Sequence, residues 1–231
     1  MCRNPKLKMA TTVVVTVIAI VLIALFLAPF LFWGLTTPKC YAIKMEISQL
    51  SMSLERYRQA IGAYPPDFST GYVASAIDEH LAIAFPERNK DQDTPGGIEN
   101  LSPETALYFW LKGFSSDPLR PLTGEGQRDP FYDFCNVPAD GRYASRGGMP
   151  YLYFNGRTYD KAAFRASNGE NVRPYRSPAT GEYIDAEKFQ IIDAGLDQKY
   201  GEGSSVYPNE SMPPEKLDNV TSFSTPSTLA H

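Results

Sequence analysis

Residues 9–38 carry no charged side chain, and most of them are strongly apolar. A helix of about 20 apolar residues spans the hydrocarbon core of a bilayer, so this run is long enough to cross it with some tilt. It is too long for the apolar region of a cleavable signal peptide, and no Ala-x-Ala site follows it. We therefore expect a transmembrane anchor at residues 9–38. A buried core helix is the alternative, although soluble domains of this size rarely hide so long an uncharged helix.

The charges that flank the run predict its orientation. Three basic residues lie within residues 1–8, whereas Lys39 and Lys44 follow the run and are partly offset by Glu46. Positive charge next to a membrane helix favours the cytoplasmic side. We expect residues 1–8 to form a short cytoplasmic segment of a single-pass protein of the cytoplasmic (inner) membrane, with the soluble domain outside.

Residues 39–66 predict an amphipathic helix and its end. Apolar residues recur at steps of four and three, which places them on one stripe of a helix. Gly62 supplies a cap and Pro65 and Pro66 cannot extend the helix. Packing against the chain's own core is the default expectation, since a coiled coil normally continues for more heptads. The stripe comprises Ile43, Ile47, Leu50, Leu54, Tyr57 and Ile61.

The remaining chain is rich in turns and aromatic residues. Residues 67–148 predict a helical and loop-rich insertion, with helices over 73–85 and 102–111, the second opened by a Ser cap and a Pro. Residues 149–223 predict a β-rich part, in which strand 151–154 enters a tight hairpin at Asn155–Gly156 and residues 189–192 form a second strand. Residues 224–231 predict a disordered tail. The sum is an α+β fold, with the amphipathic helix on a small antiparallel sheet.

Composition excludes several classes of function. The formal net charge is −4, and no basic stretch alternates with aromatic residues, so nucleic-acid binding is not expected. With three cysteines, no CxxC pair and two histidines, the chain lacks the pattern of a zinc cluster. No Gly-x-Ser-x-Gly elbow or Walker loop is present, so we do not expect an enzyme. A Cys40–Cys135 disulfide and unpaired thiols both stay open, because spacing alone cannot fix a bridge.

Five segments resemble the major pseudopilins of type II secretion systems, which are type IV pilin-like proteins. Tyr57–Pro66 (YRQAIGAYPP) is similar to the family's helix end, and Met149–Tyr153 (MPYLY) to its Asn-Pro-Tyr-x-Tyr strand. Arg128–Phe131 (RDPF) resembles the Asp-Pro-Trp before that strand. Lys188–Gly201 resembles the C-terminal strand and turn, and Leu217–Phe223 (LDNVTSF) the closing segment.

The resemblance implies a pilin-like fold and a structural role. It does not extend to the N-terminus, because Lys8–Val15 (KMATTVVV) has neither the Gly-Phe junction of prepilin cleavage nor the glutamate that follows it. The implied function is a membrane-anchored subunit of a type II secretion or type IV pilus-like apparatus, with the lipid bilayer and other pseudopilin-like subunits or secretion proteins as partners. The alternative is a membrane-tethered extracytoplasmic binding domain that does not polymerise.

The resemblance also implies a calcium site. Asp197 and Asp218 fall in the segments that are similar to the calcium-binding loop of major pseudopilins, and Asp193 and Glu202 could add oxygen ligands. The alternative is that these carboxylates are solvated turn residues.

Two further patterns are weaker. Asp91–Gly96 (DQDTPG) resembles the opening of an EF-hand loop but lacks the later oxygen ligands, which favours chance. His80 is a lone histidine on a predicted helix, where a surface or core role is commoner than metal binding.

Overall fold

The structure is a computed structural model that describes residues 5–71, 73–136, 139–144, 148–203, 205–208, 212–224 and 228–229. Its helices are α1 Pro5–Ile61, α2 Ala74–Ala82, α3 Ala106–Leu111 and α4 Pro214–Leu217, with 3₁₀ turns at Ile98–Asn100 and Gly156–Thr158. Its strands are β1 Phe114–Ser115, β2 Arg128–Asp129, β3 Leu152–Asn155, β4 Phe164–Arg165, β5 Asn171–Val172, β6 Phe189–Asp193 and β7 Val220–Thr221. The chain divides into two compact units, Met1–Lys39 and Cys40–His231.

The expected transmembrane helix requires a correction. Within the part of the chain that the structure describes, no helix combines the length and the apolarity that a membrane crossing needs. From Cys40 onward, α1 carries charged residues such as Lys44, Glu46 and Glu55 among its apolar ones, as a helix that packs on a protein core does. The side chains at 9–16, 19–20 and 24–37 of the expected anchor lie outside the described residues. The supported fold class is α+β with small antiparallel sheets and without the spanning helix.

The predicted apolar stripe of α1 is confirmed as part of the core. Its members are in van der Waals reach of residues from α2, α3 and the sheet within one hydrophobic cluster. The helix ends where the sequence predicts, because Gly62 adopts φ 95° and its N–H donates to the carbonyl of Arg58. Five stripe residues, Ile47, Leu50, Leu54, Tyr57 and Ile61, are buried.

The principal sheet has three antiparallel strands in the order β3-β6-β7. Leu152 is paired with Ile192 and Asn155 with Phe189, while Ile192 is also paired with Thr221. Every residue of β3, β6 and β7 is buried. Because successive side chains of a strand point to opposite faces, both faces of this sheet are covered. The face that carries Tyr153 and Ile191 belongs to the α1 cluster, and the face that carries Leu152 and Ile192 belongs to a second cluster.

The tight hairpin predicted at Asn155–Gly156 is wrong. The Asn155 side chain accepts a hydrogen bond from the Arg157 N–H and starts the 3₁₀ turn Gly156–Thr158, so β3 does not fold back on the next residues. The partner of β3 is β6, which lies more than thirty residues further along the chain. The helix predicted over 102–111 is shorter, because α3 begins at Ala106 and no side chain caps it.

The chain after Phe223 is described only in part. Ser224 is buried, and the Leu229 N–H donates to the Asn219 carbonyl while the Leu229 side chain is buried against the second cluster. The described residues of the predicted disordered tail are therefore packed, and residues 225–227 and 230–231 lie outside the described part.

Candidate functional site

The acidic residues predicted from the sequence meet at the loop that follows β6. Oδ2 of Asp218 accepts hydrogen bonds from the backbone N–H groups of Leu196 at 2.7 Å and Asp197 at 3.0 Å. Oδ1 of Asp193 accepts from the Gly195 N–H at 2.9 Å. Charge-assisted bonds of this kind are among the stronger hydrogen bonds in proteins, so the two carboxylates hold the start of the loop in one conformation.

Gly195 allows the loop to approach Asp218 closely. Its φ is 69°, and a Cβ built on it would lie 2.3 Å from the Asp218 carbonyl oxygen. Only glycine combines this backbone conformation with this contact. The glycine is therefore required for the geometry in which the Asp218 carboxylate reaches the next two N–H groups.

Asp197, the second predicted ligand, lies beside Asp218 in this loop. Its Oδ1 accepts from the Lys199 N–H at 2.8 Å, which closes a local turn. Burial raises the pKa of its carboxyl, and the negative charge of Asp218 raises it further. The structure therefore brings Asp197 and Asp218 together, with like charges as neighbours.

Glu170 holds the far end of the same loop. Its Oε2 accepts from the N–H of Tyr200 at 2.7 Å and, at 3.3 Å, from that of Gly201. The Asn219 amide, which is fully buried, donates to the Tyr200 carbonyl at 3.0 Å. The loop is thus bound at both ends by acidic side chains from distant segments.

The donor set decides how well a calcium ion fits. Calcium takes six to eight oxygen ligands, several of them carboxylates. Among the residues that the structure describes, no three His, Cys, Asp or Glu side chains cluster closely enough to hold a metal ion. Oδ2 of Asp218 and Oδ1 of Asp197 already accept backbone hydrogen bonds, whereas Oδ1 of Asp218 is buried without a hydrogen-bond partner among the described residues. Two carboxylates supply fewer oxygen ligands than calcium takes, so the calcium site stays a prediction of the sequence.

The neighbouring part of α1 is tied to the C-terminal segment. Nζ of Lys44 donates to the carbonyl of Thr221 at 2.5 Å and to that of Ser224 at 2.6 Å. Two residues further along α1, the Glu46 carboxylate accepts hydrogen bonds from the hydroxyls of Tyr143 and Tyr151. These contacts fix the helix against the sheet at the end near the loop after β6, residues 194–201, which is called the acidic loop below.

The EF-hand-like segment Asp91–Gly96 has a structural role at Asp93. The Asp93 carboxylate is fully buried and lies 2.6 Å from Nε of Arg88. Its Oδ1 accepts from the N–H groups of Leu122 at 2.9 Å and Thr123 at 2.8 Å. The Asp93 carboxylate therefore joins the turn around Arg88 to the backbone at Leu122 and Thr123.

His80 belongs to the core. Its Nε2 lies 2.8 Å from the hydroxyl of Tyr57, and its ring packs edge-on against Trp110. Burial lowers the pKa of the imidazole to about 4, and the charge of Arg157 contributes. The ring is therefore neutral near pH 7.

The two cysteines after the N-terminal run are free thiols. Cys40 is buried and Cys135 is exposed. Burial raises the pKa of the Cys40 thiol, and the charges of Asp218 and Asp193 act in the same direction. The disulfide that the sequence left open is not formed in this structure.

Two surfaces expose apolar side chains of α1. In the unit Cys40–His231, Tyr41, Met45 and Met52 are 64%, 55% and 61% exposed. Their spacing of four and seven residues places them on one face of the helix. In the unit Met1–Lys39, five aliphatic side chains are 50–60% exposed: Val17, Ile18, Val21, Leu22 and Ile23.

Several residues of this region were not predicted from the sequence. Glu170 lies in an ordinary polar turn, and no local pattern connects it with Tyr200, thirty residues away. Asp67 was not predicted either. It is buried and accepts hydrogen bonds from the Asn155 N–H and the Thr158 hydroxyl. Lys44 could have been noticed, because it is the one charged residue directly after Ile43 on the edge of the apolar stripe.

Comparisons of the chain with family models, with curated proteins and with solved structures gave no match.

Proposed function

We propose that this chain is a pseudopilin-like structural subunit of a type II secretion or type IV pilus-like apparatus, and that it assembles with other subunits through α1. The observation that carries the proposal is the exposed apolar face of α1 at Tyr41, Met45 and Met52, opposite the stripe that packs in the core. Exposed apolar side chains at helical spacing favour a surface that another helix covers.

The architecture supports a mechanical role. A long helix is fixed to an antiparallel sheet by Lys44 and Glu46, and the C-terminal loop is held by Asp218 and Glu170. This role requires no catalytic step. The reason for proposing this particular apparatus is the set of sequence motifs that resemble pseudopilins.

Five aliphatic side chains support the same proposal within the unit Met1–Lys39. Val17, Ile18, Val21, Leu22 and Ile23 are each at least half exposed. Burying one such side chain contributes about 1.5–3 kcal/mol, so contact with helices of other copies has a substantial driving force.

Sedimentation velocity on the full chain tests the proposal. We expect association that increases with protein concentration, and a Met45→Glu/Met52→Glu double variant that stays monomeric because it places two charges in the contact. The matched control is Gln92→Glu/Gln127→Glu, which adds the same charge at exposed positions outside α1. A wild-type chain that is monomeric at every concentration would contradict assembly and favour the alternative, a binding domain that does not polymerise.

A further inference from the structure

A pocket of about 330 Å³ lies beside the end of α1, away from the acidic loop and from the exposed helix face. Three separate segments form its walls, and each contributes a basic side chain. They are the last turn of α1 with Arg58, the 3₁₀ turn with Arg157, and the turn before β6 with Lys188.

The walls are held rigidly by backbone contacts. The Gly156 N–H donates to the Lys188 carbonyl at 2.9 Å, and a Cβ at Gly156 would lie 2.1 Å from the Ala186 carbonyl oxygen. The Asn155 side chain donates to the Pro65 carbonyl at 2.8 Å. The 3₁₀ turn is therefore fixed against both other walls, which keeps the basic side chains near one another.

The charges of the pocket favour an anion. Arg157 and Lys188 are exposed, and neither forms an ion pair with another residue in the part of the chain that the structure describes. Three acidic groups lie nearby. Glu55 is bound by Arg58 and by the hydroxyl of Tyr64, and the charge of Asp185 outside the lining interacts with that of Lys188. Glu187 is the acidic residue of the lining itself.

The end of α1 does not reverse this preference. The carbonyl groups at a helix C-terminus carry partial negative charge, which disfavours an anion. Arg58 lies in the last turn and offsets that charge. The net charge of the chain is −4, whereas in the lining of this pocket Arg157 and Lys188 outnumber the acidic Glu187 even when the paired Arg58 is left out.

We propose that this pocket binds the oxyanion group of a small ligand, a phosphate or a carboxylate, between Arg157 and Lys188. Guanidinium groups match the geometry of both anions through paired N–H donors, and the lysine adds a compact charge. The pocket has room for more than the anion alone. The Tyr64 ring offers a contact for the rest of the ligand.

Calorimetric titration of the full chain at low ionic strength tests the site, with inorganic phosphate and malonate as probes. We expect saturable binding of at least one probe, weaker by roughly tenfold in Arg157→Ala and in Lys188→Ala, since one charge-assisted contact is lost in each. The relative affinity of the two probes identifies the preferred anion. The matched control is Arg173→Ala, which removes an exposed arginine elsewhere and leaves binding unchanged.

Amide NMR shifts of the wild-type chain provide a readout that does not depend on the variants. We expect the largest phosphate- or malonate-induced shifts at Gly62, Arg157 and Lys188. Three results would overturn the proposal: no binding of either probe, equal weakening by Arg173→Ala, or shifts that are confined to other residues.

Discussion

The ammonium group of Lys44 lies 2.5 Å from the backbone carbonyl of Thr221, although the two residues are 177 positions apart. A second carbonyl, that of Ser224, lies 2.6 Å from the same nitrogen. The lysine is half-buried, and burial lowers the pKa of its amine. These hydrogen bonds replace the hydration that the ammonium group loses on burial. They also join α1 to the segment around β7.

Substitution of this lysine tests that link. Lys44→Met keeps the unbranched stem of the side chain, one heavy atom shorter, and leaves two carbonyls without their charged donor. We expect a loss of about 2 kcal/mol in the free energy of unfolding, the usual value for hydrogen bonds from a charged group. Urea denaturation measures it, with Lys161→Met as the control at an exposed lysine. Equal stability of the two variants would show that the bonds add nothing.

His80 predicts a pH dependence of stability. The imidazole has a pKa of about 4 in the folded chain, below its ordinary value near 6.5, so the unfolded chain binds more protons between these pH values. The contribution of the neutral imidazole to the free energy of unfolding is therefore fully present above pH 6.5. It decreases as the pH falls toward 4, by about 3 kcal/mol in total.

Thermal denaturation across that pH range measures the effect. A His80→Gln variant retains a partner for the Tyr57 hydroxyl and loses the slope that this group contributes. The same slope in wild type and His80→Gln would show that the imidazole is already solvated in the folded chain.

Asp218 is expected to control the order of the acidic loop. Asp218→Ala removes the acceptor of two backbone hydrogen bonds, so the amides of Leu196 and Asp197 should exchange with solvent faster, and stability should fall by about 2 kcal/mol. Hydrogen exchange measured by NMR resolves these two amides. Asp91→Ala, at an exposed aspartate, provides the control.

The calcium prediction can be examined in the same experiment. A rise in the melting temperature of the wild type with calcium, absent in Asp218→Ala, would show that the ion binds in this loop. An unchanged melting temperature at saturating calcium would show that the hydrogen bonds of Asp218 are sufficient to hold the loop.

Substitutions at two glycines allow the cost of backbone strain to be measured separately from the cost of a close contact. Gly195 and Gly181 have φ values of 69° and 73°, but a Cβ at Gly181 would meet no atom within 4 Å. We expect Gly181→Ala to cost roughly 1–2 kcal/mol from the left-handed backbone alone, and Gly195→Ala to cost more, because its Cβ meets the Asp218 carbonyl. Chemical denaturation of both variants measures the difference. Equal losses would mean that the loop shifts to make room.

The fold was predicted best where the pattern is local and regular. The stripe from Ile47 to Ile61 sets the buried face of α1, since its period needs no knowledge of partners. The glycine and two prolines after Ile61 set its end for the same reason. Strands β3 and β6 were also recognised, because short apolar runs with aromatic and β-branched residues favour strands.

The errors arose where a distant partner decides the structure. Asn155 and Gly156 carry the pattern of a tight hairpin. However, the Asp67 carboxylate accepts a hydrogen bond from the Asn155 backbone N–H, and the Pro65 carbonyl accepts one from the Asn155 side-chain amide. These bonds favour a 3₁₀ turn over the hairpin. The N-terminal run was interpreted as a membrane anchor from its hydropathy alone, and the described helices do not support that interpretation.

The candidate site was predicted only in part. Asp197 and Asp218 were selected through a resemblance, and the structure does bring them together. Their observed partners are backbone N–H groups, which sequence patterns do not reveal. Glu170 and the basic pocket depend on contacts between segments that lie far apart in the chain, so no local signal could have predicted them.

The bond between Lys44 and Thr221 also constrains the order of folding. Helix α1 acquires this partner from a strand 177 positions further along the chain, and closing so long a loop is entropically costly and slow. A nascent chain in which β7 has not yet been synthesised would leave this edge of the helix uncovered. Such a chain is expected to be a good substrate for proteases and chaperones until β7 has docked.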